Sequence, residues 1–187
     1  MKIFISFEYA REAAGFKKRH GIGSGSNIRT FTYGAGHEIT VYVNGGGGYL
    51  TMLHRLYAQY MKDKPDLVIN AGFCGSLSQE DATPGEVFEI SGAVAADLAA
   101  MRPFGHPVSP AIVPLHGKRL VTVPYLTEGH EKKWLYFGDL VDMEGYYVMD
   151  WGRRSGVPAV ILKQVTDRNE NAHESVRVSD PGPLGAA

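Results

Sequence analysis

The stretch Leu67-Val68-Ile69-Asn70-Ala71, almost wholly apolar and ending at Gly72, limits this chain most. A strand with one wet face alternates apolar and polar residues, so a continuous apolar run reads as a strand covered on both faces. An amphipathic helix precedes it. Leu50, Leu53, Leu56, Tyr57, Tyr60 and Met61 recur at helical spacing over 50–61, and Lys62, Lys64 and Pro65 close the segment. The pattern returns further on as strand 140–142, helix 144–154, a stop at Gly156 and strand 159–165, which reads as a βαβ unit with parallel strands. An α/β protein follows from this rhythm.

The other segments fit one domain over 1–187. Residues 2–6 read as a buried strand, 8–18 as a helix, 19–27 as a Gly/Ser-rich loop, and 29–33 and 39–43 as strands. Strands are also expected at 86–91 and 119–123, and a short helix at 128–137. Pro103, Pro107, Pro110 and Pro114 point to irregular structure over 95–117. The tail from about 175, with Asp180-Pro181-Gly182-Pro183, has little to pack and is expected to be poorly ordered.

Composition excludes several classes. Apolar residues make up 44% and charged residues 21%, as in an ordinary globular chain rather than a disordered one. The net charge of -1 supplies no basic field for a nucleic-acid backbone. The run Met1–Ser6 is cut short by Glu8 and Arg11, too soon for a signal peptide or membrane span. Cys74 is the single cysteine and cannot form an internal disulfide, so a reducing, cytoplasmic setting is expected. The 7 histidines show no metal-ligand spacing, and GIGSGS lacks the strand-turn-helix context of a dinucleotide loop, so neither metal nor cofactor is expected.

The polar residues fall where chemistry is done. Gly72, Asp142-Met143-Glu144 and Thr166-Asp167 each follow a buried strand, and open α/β sheets bind ligands at the carboxyl ends of their strands. Glu144 and Asp167 then face one crevice, with Glu12 just past the first strand. Three carboxylates around a cleft suit acid–base work on a neutral, hydroxyl-rich substrate. Residue by residue, a structural reading is as good: Glu144 as a helix cap, Asp167 as a loop residue. Gly72-Phe73-Cys74-Gly75-Ser76 has part of the form of a nucleophile elbow, but no histidine stands out as its partner, and a small buried cysteine in a turn is the better reading.

Taken in order, the motifs resemble the nucleoside phosphorylase superfamily over residues 1 to about 168. The segments that carry the likeness are Pro65–Leu77, Val141-Asp142-Met143-Glu144-Gly145, Val165-Thr166-Asp167, Gly46–Gly48 ahead of the helix, and Pro84-Gly85-Glu86-Val87. The nearest likeness is to nucleosidases that cleave 5′-methylthioadenosine, S-adenosylhomocysteine or futalosine-type nucleosides. The resemblance implies a three-layer α/β/α fold around a mixed, mostly parallel sheet, shortened at the C-terminus. It implies that Glu12 positions the attacking water, Glu144 binds the ribose hydroxyls with Met143 beneath the ring, and Asp167 serves the purine at N7. Phe73, Cys74 and Gly75 would line base and sugar, and Tyr125 and Leu126 would pack on the base. Family members are generally homo-oligomers, often dimers, and Met101-Arg102-Pro103-Phe104 is the candidate contact. The stretch Phe7–Glu12 lacks the phosphorylase branch's phosphate loop, and Phe73 offers no hydroxyl to an anion. Hydrolysis is therefore expected. Phosphorolysis, kept open by Arg11, Arg29 and Arg102, and nucleoside binding without turnover are the alternatives.

Overall fold

The structure, a computed structural model, describes residues 1–23, 27–77, 82–97, 102–110, 116–124 and 137–167, with only the backbone at 97 and 102–106. In chain order these form β1 (Lys2–Phe7), α1 (Ala14–Arg19), β2 (Ile28–Tyr33), β3 (His37–Val43), α2 (Gly48–Lys62) and β4 (Leu67–Ser76). Then come β5 (Val87–Asp97), β6 (Arg102–Val108), β7 (Lys118–Thr122), β8 (Leu140–Asp142), α3 (Gly145–Ser155) and β9 (Ala159–Asp167).

The strands make one mixed sheet in the order β2-β3-β1-β4-β8-β7-β5-β6, and β9 pairs with both β4 and β5. The extra pairings of β9 close β4, β8, β7, β5 and β9 into a ring, while β1, β3 and β2 extend outward from β4. The parallel β8–β9 pairing read from the sequence is not formed. β8 pairs with β7 and with the end of β4, and β9 pairs with the body of β4.

β1 shows why the apolar runs are continuous. Phe4 packs into the main core with Met52 and Leu56 of α2, Leu120, Met149 and Ile161. Ile5 and Phe7 point the other way, into a second cluster with Val41, Ala71 and, from α1, Phe16. Met52 and Leu56 are fully buried, each removal from water contributing about 1.5–3 kcal/mol.

Three further expectations change. Gly72 is not a strand end: β4 runs on to Ser76, because its pairing with β9 continues from Val68 to Gly75. The Pro-rich 95–117 segment contains strand β6, which lies at the sheet edge, where missing N–H donors are tolerated. The helix expected from residue 8 begins only at Ala14, because residues 8–13 fold into a turn around Glu12's own carboxylate. Residues 128–136 of the expected short helix, and the tail from 175, lie outside the described residues. So does Met101 of the candidate oligomer contact. No helix among the described residues is long and apolar enough to cross a membrane.

Candidate active site

The site follows from a change of partner along β4. One edge of β4 is paired by β1 over Leu67–Asn70 and by β8 at Gly75 and Ser76, with β9 on the other edge. Between Asn70 and Gly75 no strand among the described residues pairs with that edge, and its backbone is open to side chains from neighbouring strand ends. Glu12 takes it up. Its Oε1 accepts from the Phe73 amide at 2.9 Å, and its Oε2 accepts from the Glu8 and Tyr9 amides at 2.8 Å each.

Opposite Glu12 stands a lysine. Lys163, in the body of β9, is 1% exposed, with Nζ 2.8 Å from Asp142 Oδ2 and 4.0 Å from Glu144 Oε2. Asp142 is held further by the Thr122 hydroxyl at 2.6 Å and the Gly145 amide at 2.8 Å. Asp142, not Glu144, thus receives the first amide of α3, and Glu144 makes no side-chain cap. Gly72 permits the assembly. A Cβ built there lies 3.1 Å from Glu12 Oε1 and 3.4 Å from Lys163 Nζ, so no larger residue fits without moving one of them.

A second carboxylate network braces the rim. Glu8 accepts from Asn44 Nδ2 at 2.6 Å and from the Gly48 amide at 2.9 Å, so a side chain from the end of β1 caps α2 from a distance. The glycine turn wraps around it with positive φ at Gly45, Gly46 and Gly48. Phosphate-binding turns use such glycines to present bare amides, but here a carboxylate already fills the first amide of the helix.

Electrostatics set the protonation states. Burial pushes Glu144 up to about 8, Lys163 opposing and Asp142, Glu8 and Glu12 adding to the rise. Burial also raises Glu12, against the pull of Lys163 and the three amides. Burial alone would lower Lys163, but Asp142, Glu144 and Glu12 outweigh it and hold the ammonium well above the ordinary lysine value. Cys74 is buried and its thiol is raised well above its ordinary value, chiefly by burial. A nucleophilic cysteine needs the thiolate, so the elbow reading is set aside.

Asp167 ends β9 beside Gly75. Thr166 Oγ1 lies 2.8 Å from Asp167 Oδ2 and 3.3 Å from the Cys74 carbonyl. Asp167 thus sits two residues along β4 from Phe73, whose amide Glu12 holds. Phe73 is half-buried at the open edge of β4, and Met143 is partly buried against Leu77, Val121 and Val141. Tyr125 and Leu126 lie outside the described residues. A pocket of about 300 Å³, lined by Ser109, Pro110, Met149, Arg153, Val157 and Pro158, opens where α3 stops and β9 starts, away from these strand ends.

Sequence reasoning did not single out Lys163, Asp142 or Glu8 as site residues. Lys163 carried a signal: a lysine inside a run that otherwise reads as buried on both faces must have a carboxylate partner.

No protein-family model matches the chain, and no curated protein matches it. Solved structures do. A 5′-methylthioadenosine/S-adenosylhomocysteine nucleosidase of Helicobacter pylori, crystallised with butyl-thio-DADMe-Immucillin-A, superposes with a TM-score of 0.80 at 19% identity, covering 95% of this chain and 90% of that one. A futalosine hydrolase of Helicobacter pylori also superposes with a TM-score of 0.80, at 17% identity, covering 99% and 93%. At such identities the likeness is one of fold: the chain shares the fold of these two solved structures.

Proposed function

We propose that this protein is a nucleosidase that hydrolyses the N-glycosidic bond of a purine or related nucleoside. The observation that supports it most is the gathering of Glu12, Asp142 and Glu144 around the buried Lys163 where β4 exchanges β1 for β8.

The chemistry is as follows. Glu144, once ionised, accepts from the 2′- and 3′-hydroxyls of the ribose. As the C1′–N bond lengthens, positive charge grows on the sugar, and a buried carboxylate beside it stabilises that charge. A water oxygen bonds to C1′ and the bonding pair leaves with the base. A carboxylate has about four acceptor positions, and Glu12 uses three on backbone amides, so one remains to orient the water and take its proton. Burial, by raising Glu12, makes it a better base. Lys163 balances the charge of Asp142 and screens the carboxylates from one another.

Asp167 gives its proton to N7 of the leaving base. Thr166 Oγ1 carries one hydrogen but has two acceptors within reach. Shared between the Asp167 carboxyl and the Cys74 carbonyl, the Thr166 hydroxyl positions Asp167 for that transfer. A homodimer and a cytoplasmic location go with this reading.

The test is chromatography of free base after incubating purified protein with a nucleoside panel, with and without phosphate. Release without phosphate is expected, and Asp167→Asn should lower it by roughly 10²–10⁴-fold while leaving the fold intact. Unchanged turnover in that variant would refute the role.

A further inference from the structure

Among the described residues, the charged groups at these strand ends have partners, with one exception. Glu8 is held by Asn44 and Gly48, Glu12 by three amides, Asp142 and Glu144 by Lys163, and Asp167 by Thr166. Arg11 has none: among the described residues its guanidinium makes no ion pair or hydrogen bond, and its Nε is buried without an acceptor. Arginine cannot shed its charge, and a buried donor without a partner is destabilising. Arg11 is nonetheless held in place. Its guanidinium carbon lies 5.2 Å from the centre of the Tyr9 ring and 5.6 Å from that of Phe73, so two aromatic rings flank it. The residue as a whole is half-buried, so part of the group faces outward.

Its position says what it meets. Phe73 is the residue whose amide binds Glu12, and Tyr9 feels the charges of Glu8, Glu144 and Glu12. Tyr9 also packs against the glycine turn at Gly46. Asp167 lies further along β4, beside Gly75. Arg11 therefore stands at the sugar end of the site, away from the group assigned to the base.

We propose that Arg11 is a specificity residue that binds an anionic group, a carboxylate or phosphate ester, carried by the substrate on its sugar side. This rests on the nucleosidase reading and narrows its substrate class. No carboxylate among the described residues lies within hydrogen-bond reach of the Arg11 guanidinium, so the missing acceptor comes from the ligand.

The test compares 5′-S-(2-carboxyethyl)-5′-thioadenosine with its methyl ester. The wild type should prefer the acid in kcat/KM by at least about tenfold, as expected for one charge-assisted hydrogen bond. In Arg11→Met, which keeps an apolar side chain between the rings, the acid-to-ester ratio should fall to about one through a rise in KM for the acid, with kcat held. Arg11→Lys should recover part of the preference. A wild-type ratio near one, or a ratio that survives Arg11→Met while both substrates slow together, would overturn the proposal and leave Arg11 a packing residue. Base release that requires inorganic phosphate and loses that requirement in Arg11→Met would put free phosphate at Arg11 and overturn the substituent assignment. If neither nucleoside is cleaved, the nucleosidase reading fails, and calorimetric binding of the same pair decides about Arg11. Tighter binding of the acid, lost in Arg11→Met, supports it; equal or absent binding overturns it.

Discussion

Replacing Lys163 by Met tests the centre of the site. The substitution removes the cation that, among the described residues, pairs with both Asp142 and Glu144, 2.8 Å from the first and 4.0 Å from the second, at a position 1% exposed. Asp142 keeps the Thr122 hydroxyl and the Gly145 amide but loses its counter-charge. Removing one partner of a buried pair costs about 3–5 kcal/mol, because the other charge stays buried. For a chain of this length each kcal/mol moves the melting temperature by about 2–4 °C, so a fall of roughly 6–20 °C is expected. The loss should depend on pH. In the wild type Lys163 is raised, so its contribution is complete below the unfolded lysine pKa and is lost only as pH rises through the folded one. In the variant a buried carboxylate is left without its counter-charge, a cost present only while that charge is, so stability falls as pH rises. Melting followed by circular dichroism should therefore show a larger deficit at about pH 8 than at about pH 5. Adding Asp142→Asn to Lys163→Met should restore part of the loss. A single variant that melts within about 2 °C of the wild type at neutral pH, or a deficit that ignores pH, would refute the reasoning.

Three further outcomes are expected. Since burial pushes Glu144 up to about 8 and its ionised form binds both sugar hydroxyls, kcat/KM should climb with pH and level off above that value, and Glu144→Gln should flatten the limb. The same shift means that the buried carboxyl weakens the fold as pH rises from its ordinary value of 4.5 towards about 8, so Glu144→Gln should gain stability relative to the wild type over that window. Gly72→Ala sets a methyl 3.1 Å from Glu12 Oε1, so Glu12 must give way by a few tenths of an ångström; steady-state kinetics should show kcat lower by on the order of tenfold with little change in melting temperature.

The sequence is most legible where burial dictates residue type. The apolar run before Gly72 and the helical spacing of Leu53, Leu56 and Tyr60 mark β4 and α2 because each must face a core. Local signals mislead where a distant partner decides. Gly72 looks like a stop, yet the strand continues because β9 pairs alongside it and because Glu12 and Lys163 need the space a side chain would fill. Pro103 and Pro107 look incompatible with a strand, yet β6 lies at an edge. Residues 8–13 have helical composition, but Glu12 binds the amides of Glu8 and Tyr9 and holds the chain in a turn. The acidic residues Glu12, Glu144 and Asp167 are conspicuous in the sequence because each follows a strand. The cation among them is not, since Lys163 lies inside β9 and its meaning depends on Asp142 and Glu144, which only the folded sheet brings close.

The origin of the oxygen on the released sugar tests the central claim most directly. With a cleavable purine nucleoside turned over in ¹⁸O-labelled water without phosphate, mass spectrometry should find the label on the C1 hydroxyl of the sugar, and Glu12→Gln should suppress its appearance. Intact nucleoside after prolonged incubation, or a sugar 1-phosphate formed only when phosphate is supplied, would contradict the account.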